Sequence, residues 1–202
     1  MVIFKIKLQK MKKTLFPFIL IIFLLTNINS NAFAQKTDVF TDARDGKAYK
    51  TVSIGNQLWM AENLAFKTDS GCWTYDDEKN ATEYGYLYNW ETAKKVCPLA
   101  SGWRLPTKKD FEVLLNNYGG KSNQETNYIA LIPGGNSGFL ASTGGWYCGF
   151  YSFIGKNGAF WSSSAKDDTY AWKLTVFNKY KEVEINSEPK SWGFSVRCIK
   201  NN

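Results

Sequence analysis

The sequence predicts a single α+β domain, on three observations. A proline-punctuated stretch leads into a capped amphipathic helix over residues 107–118. A hairpin pattern with a two-residue turn precedes it, over residues 47–60. The last third alternates apolar with polar residues at the period of strands and is crowded with aromatic residues. Two helices early and a sheet late imply two short helices packed on a twisted antiparallel sheet, with long loops between the elements.

The first 34 residues read as a targeting signal. Lys10, Lys12 and Lys13 form a positive region, residues 15–25 are almost wholly apolar, and Ala32-Phe33-Ala34 is an A-x-A cleavage site. Met11 opens this pattern, and cleavage after Ala34 makes Gln35 the first mature residue. An apolar run of about 11 residues is too short for a membrane span, which needs roughly 20. No cysteine follows it, as a lipid anchor would require. The signal holds five lysines and no acid, so the remaining 168 residues carry 20 basic and 18 acidic side chains, net +2. A charge so close to balance gives no footprint for nucleic acid. The expected location is secreted, periplasmic or cell-surface.

Residues 35–45 read as a polar lead, and residues 46–200 as the domain. Within it, residues 47–54 and 57–60 form a hairpin around Gly55-Asn56. Residues 70–84 are polar and irregular. Their acidic run Asp76-Asp77-Glu78 offers oxygen ligands for Ca²⁺ but lacks the D-x-D-x-D-G spacing of a dedicated loop, so no metal site is assigned. Residues 86–96 read as a first helix with Leu87, Trp90 and Ala93 on one face, stopped by Pro98.

The sharpest local signal is Gly102-Trp-Arg-Leu-Pro-Thr107. Pro106 holds Leu105 extended. Thr107 is an N-cap, and Asp110 completes a capping-box pattern. Phe111, Leu114, Leu115 and Tyr118 follow on one face, and Gly119-Gly120 ends the helix. Residues 121–142 read as mostly loop. In residues 170–177, Tyr170, Trp172, Leu174 and Val176 alternate with Ala171, Lys173 and Thr175, as in a half-buried strand. Residues 181–185 and the alternation of Phe194, Val196 and Cys198 close the sheet.

The four cysteines, 72, 97, 148 and 198, all follow the signal. An even number in an exported chain reads as two disulfides, with three pairings that spacing does not separate. The chain has no histidine. That excludes histidine general bases, Ser-His and Cys-His nucleophiles, and imidazole zinc sites.

Several blocks together resemble the Fibrobacter succinogenes major paralogous domain family of exported bacterial proteins. They are Gly46-Lys-Ala-Tyr-Lys-Thr-Val-Ser-Ile-Gly-Asn-Gln-Leu-Trp-Met-Ala-Glu-Asn-Leu64, Tyr84-Gly-Tyr-Leu-Tyr-Asn-Trp90, Cys97-Pro98, the 102–107 stretch, Trp161-Ser-Ser-Ser164 and Gly193-Phe-Ser-Val-Arg-Cys198. The resemblance spans about residues 38–200. More distantly, the Arg-Leu-Pro-Thr turn and the closing Gly-Phe-x-x-Arg strand are similar to the C-type lectin fold, in the branch shared with sulfatase-modifying enzymes. That resemblance implies a Cys97–Cys198 disulfide, leaving Cys72 with Cys148.

It also frames the functional expectations. Lectins of that fold that hold sugar through Ca²⁺ use Glu-Pro-Asn or Gln-Pro-Asp followed by Trp-Asn-Asp. This chain has Glu188-Pro189-Lys190, where lysine removes the amide oxygen. Sulfatase-modifying oxidases need two thiols near the last strand, whereas Gly193 stands five residues before Cys198. No catalytic residues and no cofactor are therefore assigned. Eight Trp, eleven Tyr and fourteen Phe point to stacking on sugar faces or to protein contacts. Trp90, Trp103 and Trp161 read as core. Trp146, Tyr147, Tyr151 and Tyr180, set among Gly, Asn and Lys, are the candidate ligand-binding residues. The expected role is a non-catalytic, adhesin- or lectin-like module for carbohydrate or a surface protein. The alternatives are a structural subunit of a surface assembly and a degenerate relative of the oxidases.

Overall fold

Short-range chemistry fixes the hairpin first. In the computed structural model, which describes residues 37–201 apart from Asp76, strand β1 (Thr37–Thr41) precedes β2 (Ala48–Ile54) and β3 (Gln57–Met60). Ile54 pairs with Gln57, so Gly55-Asn56 is the two-residue turn the sequence predicts. The signal reading of residues 1–34 lies outside the described residues, as does Asp76 of the acidic run. The predicted polar lead is corrected by β1, which pairs along its whole length with β2. Its outer edge is open and polar, and this hid the strand from a pattern search.

The chain continues through β4 (Cys72–Trp73), α1 (Lys79–Tyr84), β5 (Leu87–Tyr88) and α2 (Trp90–Val96). The predicted first helix is thus split. Leu87 and Tyr88 pair with β4 on one side and with the closing strand on the other, and Asn89 then caps α2 by accepting from Thr92 N–H. A 3₁₀ turn (Leu99–Ser101) leads to α3 (Lys108–Asn116). Its capping box is present on both sides, with Thr107 and Asp110 each bonding the other's backbone N–H. Asp110 also binds Arg104 at 2.6 Å. Burial opposes ionisation of this carboxyl, but the bonds from Arg104 and Thr107 outweigh it and hold it below the usual carboxylate range.

A further helix, α4 (Gln124–Leu131), replaces the predicted loop. Its apolar residues do not form a stripe, because Ile129 is exposed while Leu131 and Asn127 are buried. Asn127 reaches back to the Gly120 carbonyl at 2.7 Å, so a polar side chain anchors the helix and no periodic signal exists.

The last third is β6 (Gly144–Tyr147), β7 (Tyr151–Ile154), β8 (Asn157–Ala165), β9 (Tyr170–Phe177), β10 (Glu182–Pro189), β11 (Phe194–Ser195) and β12 (Ile199–Asn201). One sheet runs β1-β2-β3-β12. The larger runs β10-β9-β8-β11-β5-β4, with the β6–β7 hairpin beside β8. Pairing is antiparallel except at β8–β11 and β6–β8. The result is an α+β fold rich in sheet.

Both faces of β8 are covered. Phe160 packs with Trp59, Phe111, Leu114 and Phe139, while Trp161 packs with Trp90, Trp103 and Phe194. Trp90, Trp103 and Trp161 are core, as the sequence predicts. Burial on both faces also corrects the half-buried reading of β9, because Ala171, Lys173 and Thr175 are as enclosed as Leu174 and Val176.

Lys173 is 3 % exposed, and its ammonium donates to Thr175 Oγ1 and Asn186 Oδ1, 5.0 Å from the Phe194 ring centre. Burial pushes it down to about 8, with Glu188 and Glu184 pulling the other way. An exposed lysine titrates near 10.4, so between pH 8 and 10 the unfolded chain binds more protons than the folded one. Stability from this group therefore rises with pH across that window. The deep tyrosines act in the opposite sense only above pH 10, since burial raises Tyr49 to about 12. Thermal melts from pH 7 to 10 should show this gain, on the order of 2 kcal/mol. Lys173→Met should remove the gain between pH 8 and 9, below the point where Arg197 begins to contribute, and an unchanged slope there would sink the assignment.

The Cys97–Cys198 disulfide ties the end of α2 to the segment between β11 and β12. The predicted Cys72–Cys148 partner bridge is not formed, and both thiols are free. Trp73 and Tyr147 face each other at 4.6 Å. Adjacent strand residues point to opposite sides, so Cys72 is turned away, where its thiol donates to the Thr68 carbonyl. Cys148 opens the following turn and points to the Phe150 carbonyl.

Candidate functional site

The four predicted ligand residues divide between two places. Trp146, Tyr147 and Tyr151 lie on the β6–β7 hairpin, where cross-strand pairing sets Tyr147 opposite Tyr151. Tyr147 is sandwiched, with Trp73 at 4.6 Å on one side and Tyr151 at 5.1 Å on the other. Tyr151 continues to Tyr75 at 4.8 Å. Trp146 faces the other side of the hairpin, between Phe153 at 4.5 Å and Phe194 at 6.0 Å. These three rings cover one another or the core. Only Tyr180, 61 % exposed in the β9–β10 turn, presents itself openly.

Tyr180 instead meets a ring absent from the predicted set. Phe153 is 48 % exposed, and the two aromatic side chains wall an open cleft of about 540 Å³. The cleft lies between the turn after β7 and the turn after β9. Asn178 N–H donates to the Lys156 carbonyl at 3.2 Å and so joins the two turns. Phe153 and Lys181 adopt φ of 65° and 53°. This left-handed backbone is uncommon outside glycine, and it concentrates at functional sites. Trp146 supports the cleft from behind, through its contact with Phe153. The remaining lining is Gly155, Lys156, Asn157, Asn178 and Lys179, so among the described residues no carboxylate contributes. Sequence reasoning missed Phe153, Lys156, Asn157 and Lys179. Their only signal was the flanking turn chemistry, Gly155-Lys-Asn-Gly158 and Asn178-Lys-Tyr-Lys181.

The familiar motif blocks converge elsewhere, in the interior. Arg197 is 1 % exposed and donates to the Phe139 and Leu140 carbonyls and, from two nitrogens, to Asn63 Oδ1. Asn63 Nδ2 donates in turn to the Tyr84 carbonyl, Ser142 and Ser195. Burial pushes Arg197 down to about 9, with Glu62 pulling upward. Gly193 is required by contact, since a Cβ there would lie 2.9 Å from the Trp73 ring. A thiol at this position, as an oxidase would need, has no room.

The family model of the Fibrobacter succinogenes major domain matches residues 52–200. The chain belongs to that family. No curated protein and no solved structure matches it. The Fibrobacter succinogenes major domain match begins inside β2, so β1 is an addition to the matched region. Of the blocks that carry the Fibrobacter succinogenes major domain resemblance, Asn63, Tyr84 and Arg197 are joined in this one hydrogen-bond network.

Two further sequence features acquire roles. Glu78 of the acidic run is engaged by Lys67 at 2.8 Å and by the Tyr86 hydroxyl at 2.9 Å. Lys190 of Glu188-Pro189-Lys190 donates to the Asp167 and Asp168 carbonyls, closing a loop with its ammonium. Among the described residues, no helix is long and apolar enough to cross a membrane.

Proposed function

We propose that this protein is a non-catalytic, saccharide-binding module acting outside the cytoplasm, on a fold of C-type lectin kind. The observation that carries the reading is the Phe153–Tyr180 cleft. Two exposed rings flank a space of about 540 Å³, within the range of small-ligand sites. Rings so placed offer apolar faces to a pyranose, and the neighbouring amides offer hydrogen bonds to its hydroxyls. The Cys97–Cys198 bridge, implied by the lectin resemblance, supports the fold assignment. Disulfide formation also favours an oxidising compartment. The non-catalytic reading draws on the perturbed cations. Among the cations Lys173 and Arg197 are shifted furthest, yet both are locked in the interior away from the cleft.

A glycan array with purified, disulfide-intact protein tests this. The protein should bind defined glycans, and Phe153→Ala with Tyr180→Ala should reduce that binding at least tenfold while melting stays normal. Addition of chelator should leave binding unchanged, since Ca²⁺ has no part in the proposed contact. A folded protein that binds no glycan, or a double variant that binds as well as wild type, would overturn the reading.

A further inference from the structure

The cleft carries information about charge. Two lysines line it, both exposed and neither in an ion pair among the described residues. Lys179 Nζ is 5.3 Å from the Tyr180 ring centre, so ammonium and stacking face adjoin. Asn157 provides an independent observation. It lines the cleft, and its side-chain amide makes no hydrogen bond to the described residues and stays open to solvent. An amide held at a cleft wall with both donor and acceptor open is available to a ligand hydroxyl. Asn178 differs, because its Oδ1 already accepts from Tyr128 at 3.2 Å.

We infer that the cleft recognises an anionic saccharide, one bearing a carboxylate or sulfate on a ring stacked against Phe153 and Tyr180. The inference rests on the saccharide reading above and adds the ligand's charge. Lys156 and Lys179 receive the anionic group through charge-assisted hydrogen bonds. The Asn157 amide takes a ring hydroxyl, donating through nitrogen or accepting through oxygen. A neutral sugar would leave both ammonium groups without an anion, and an acidic protein strand would not use the two aromatic walls. With net charge near zero after the signal, the attraction is local to the cleft and is screened by salt within about 10 Å at 0.1 M.

The test is calorimetry with matched probes. These are trigalacturonate, its fully methyl-esterified form, which has the same rings without charge, and a sulfated galactose trisaccharide. Trigalacturonate or the sulfated probe should bind at least tenfold more tightly than the ester, and whichever is preferred identifies the anionic group. Charge reversal by Lys156→Glu with Lys179→Glu, both at exposed positions, should abolish that preference. Asn157→Asp should weaken the anionic probes more than the ester. If ester and acid bind equally, the charge inference falls and the saccharide reading stands. If none of the three binds, and the glycan array is also blank, both fall together. Anionic preference that survives the double reversal would place the anion elsewhere and overturn the site.

Discussion

Arg197→Met should cost about 4 kcal/mol, enough to unfold a marginal domain at physiological temperature. The side chain is fully enclosed and lies over the Phe139 and Phe160 rings, with centroids 4.5 and 5.2 Å from its carbon. Methionine fills much of the volume but donates nothing. It strands the Phe139 and Leu140 carbonyls and Asn63 Oδ1, each at about 1–3 kcal/mol. Against this stands relief from burying a cation, which is substantial because among the described residues no carboxylate pairs with it. The stranded acceptors win because Asn63 also holds Tyr84, Ser142 and Ser195, so its misplacement loosens three further segments. Arg197→Lys separates charge from geometry. One ammonium cannot span the acceptors that the planar fork reaches, so lysine should recover less than half of the loss. Urea titrations read both variants, and a midpoint for Arg197→Met within error of wild type would refute the account.

The second large effect belongs to Cys97–Cys198. The bridge closes a loop with sequence separation 101. In the chain-entropy model such a loop restricts the unfolded ensemble by about 4–5 kcal/mol. Cys97→Ser with Cys198→Ser should lose a large part of that, seen as a fall in the denaturation midpoint. Both cysteines are buried, so reductant should act on the native protein only slowly. Alkylation after denaturation, without reductant, should label two thiols, Cys72 and Cys148. No labelling would restore the second bridge and overturn their assignment as free.

Much of the fold was legible because local chemistry wrote it. Thr107 with Asp110 and the spacing of Phe111, Leu114 and Leu115 place α3, and Gly55-Asn56 places the first hairpin. What escaped was fixed by tertiary contact. Leu87 and Tyr88 become a strand only because β4 and β11 flank them. The helix over Gln124–Leu131 is anchored by buried Asn127, a polar residue that a periodicity search counts against burial. In β9, alternation marked the faces correctly, but sequence cannot reveal that a second layer covers the polar face. The site was legible in composition and not in arrangement. Trp146, Tyr147 and Tyr151 were recognised as a cluster, yet which rings cover one another depends on a hairpin register. Phe153 and Asn157 come together with Tyr180 only through the pairing of β8 with β9, which sets Asn157 opposite Phe177.

The position of residues 194–201 has a kinetic consequence. β11 lies in the middle of the larger sheet, between β8 and β5, and β12 closes the smaller one against β3. Residue 195 pairs with residue 87, and residue 201 with residue 57. Both sheets are therefore seamed by strands that come after all the other described strands in the chain. The ribosome releases most of the sequence before either sheet can be completed. Non-local pairing of this kind folds on the slow side of the millisecond-to-second range. The nascent chain must stay extended and sticky until then, a state that favours aggregation unless it is escorted. The same delay keeps the earlier strands unlocked, because neither sheet can close before β11 and β12 have been made.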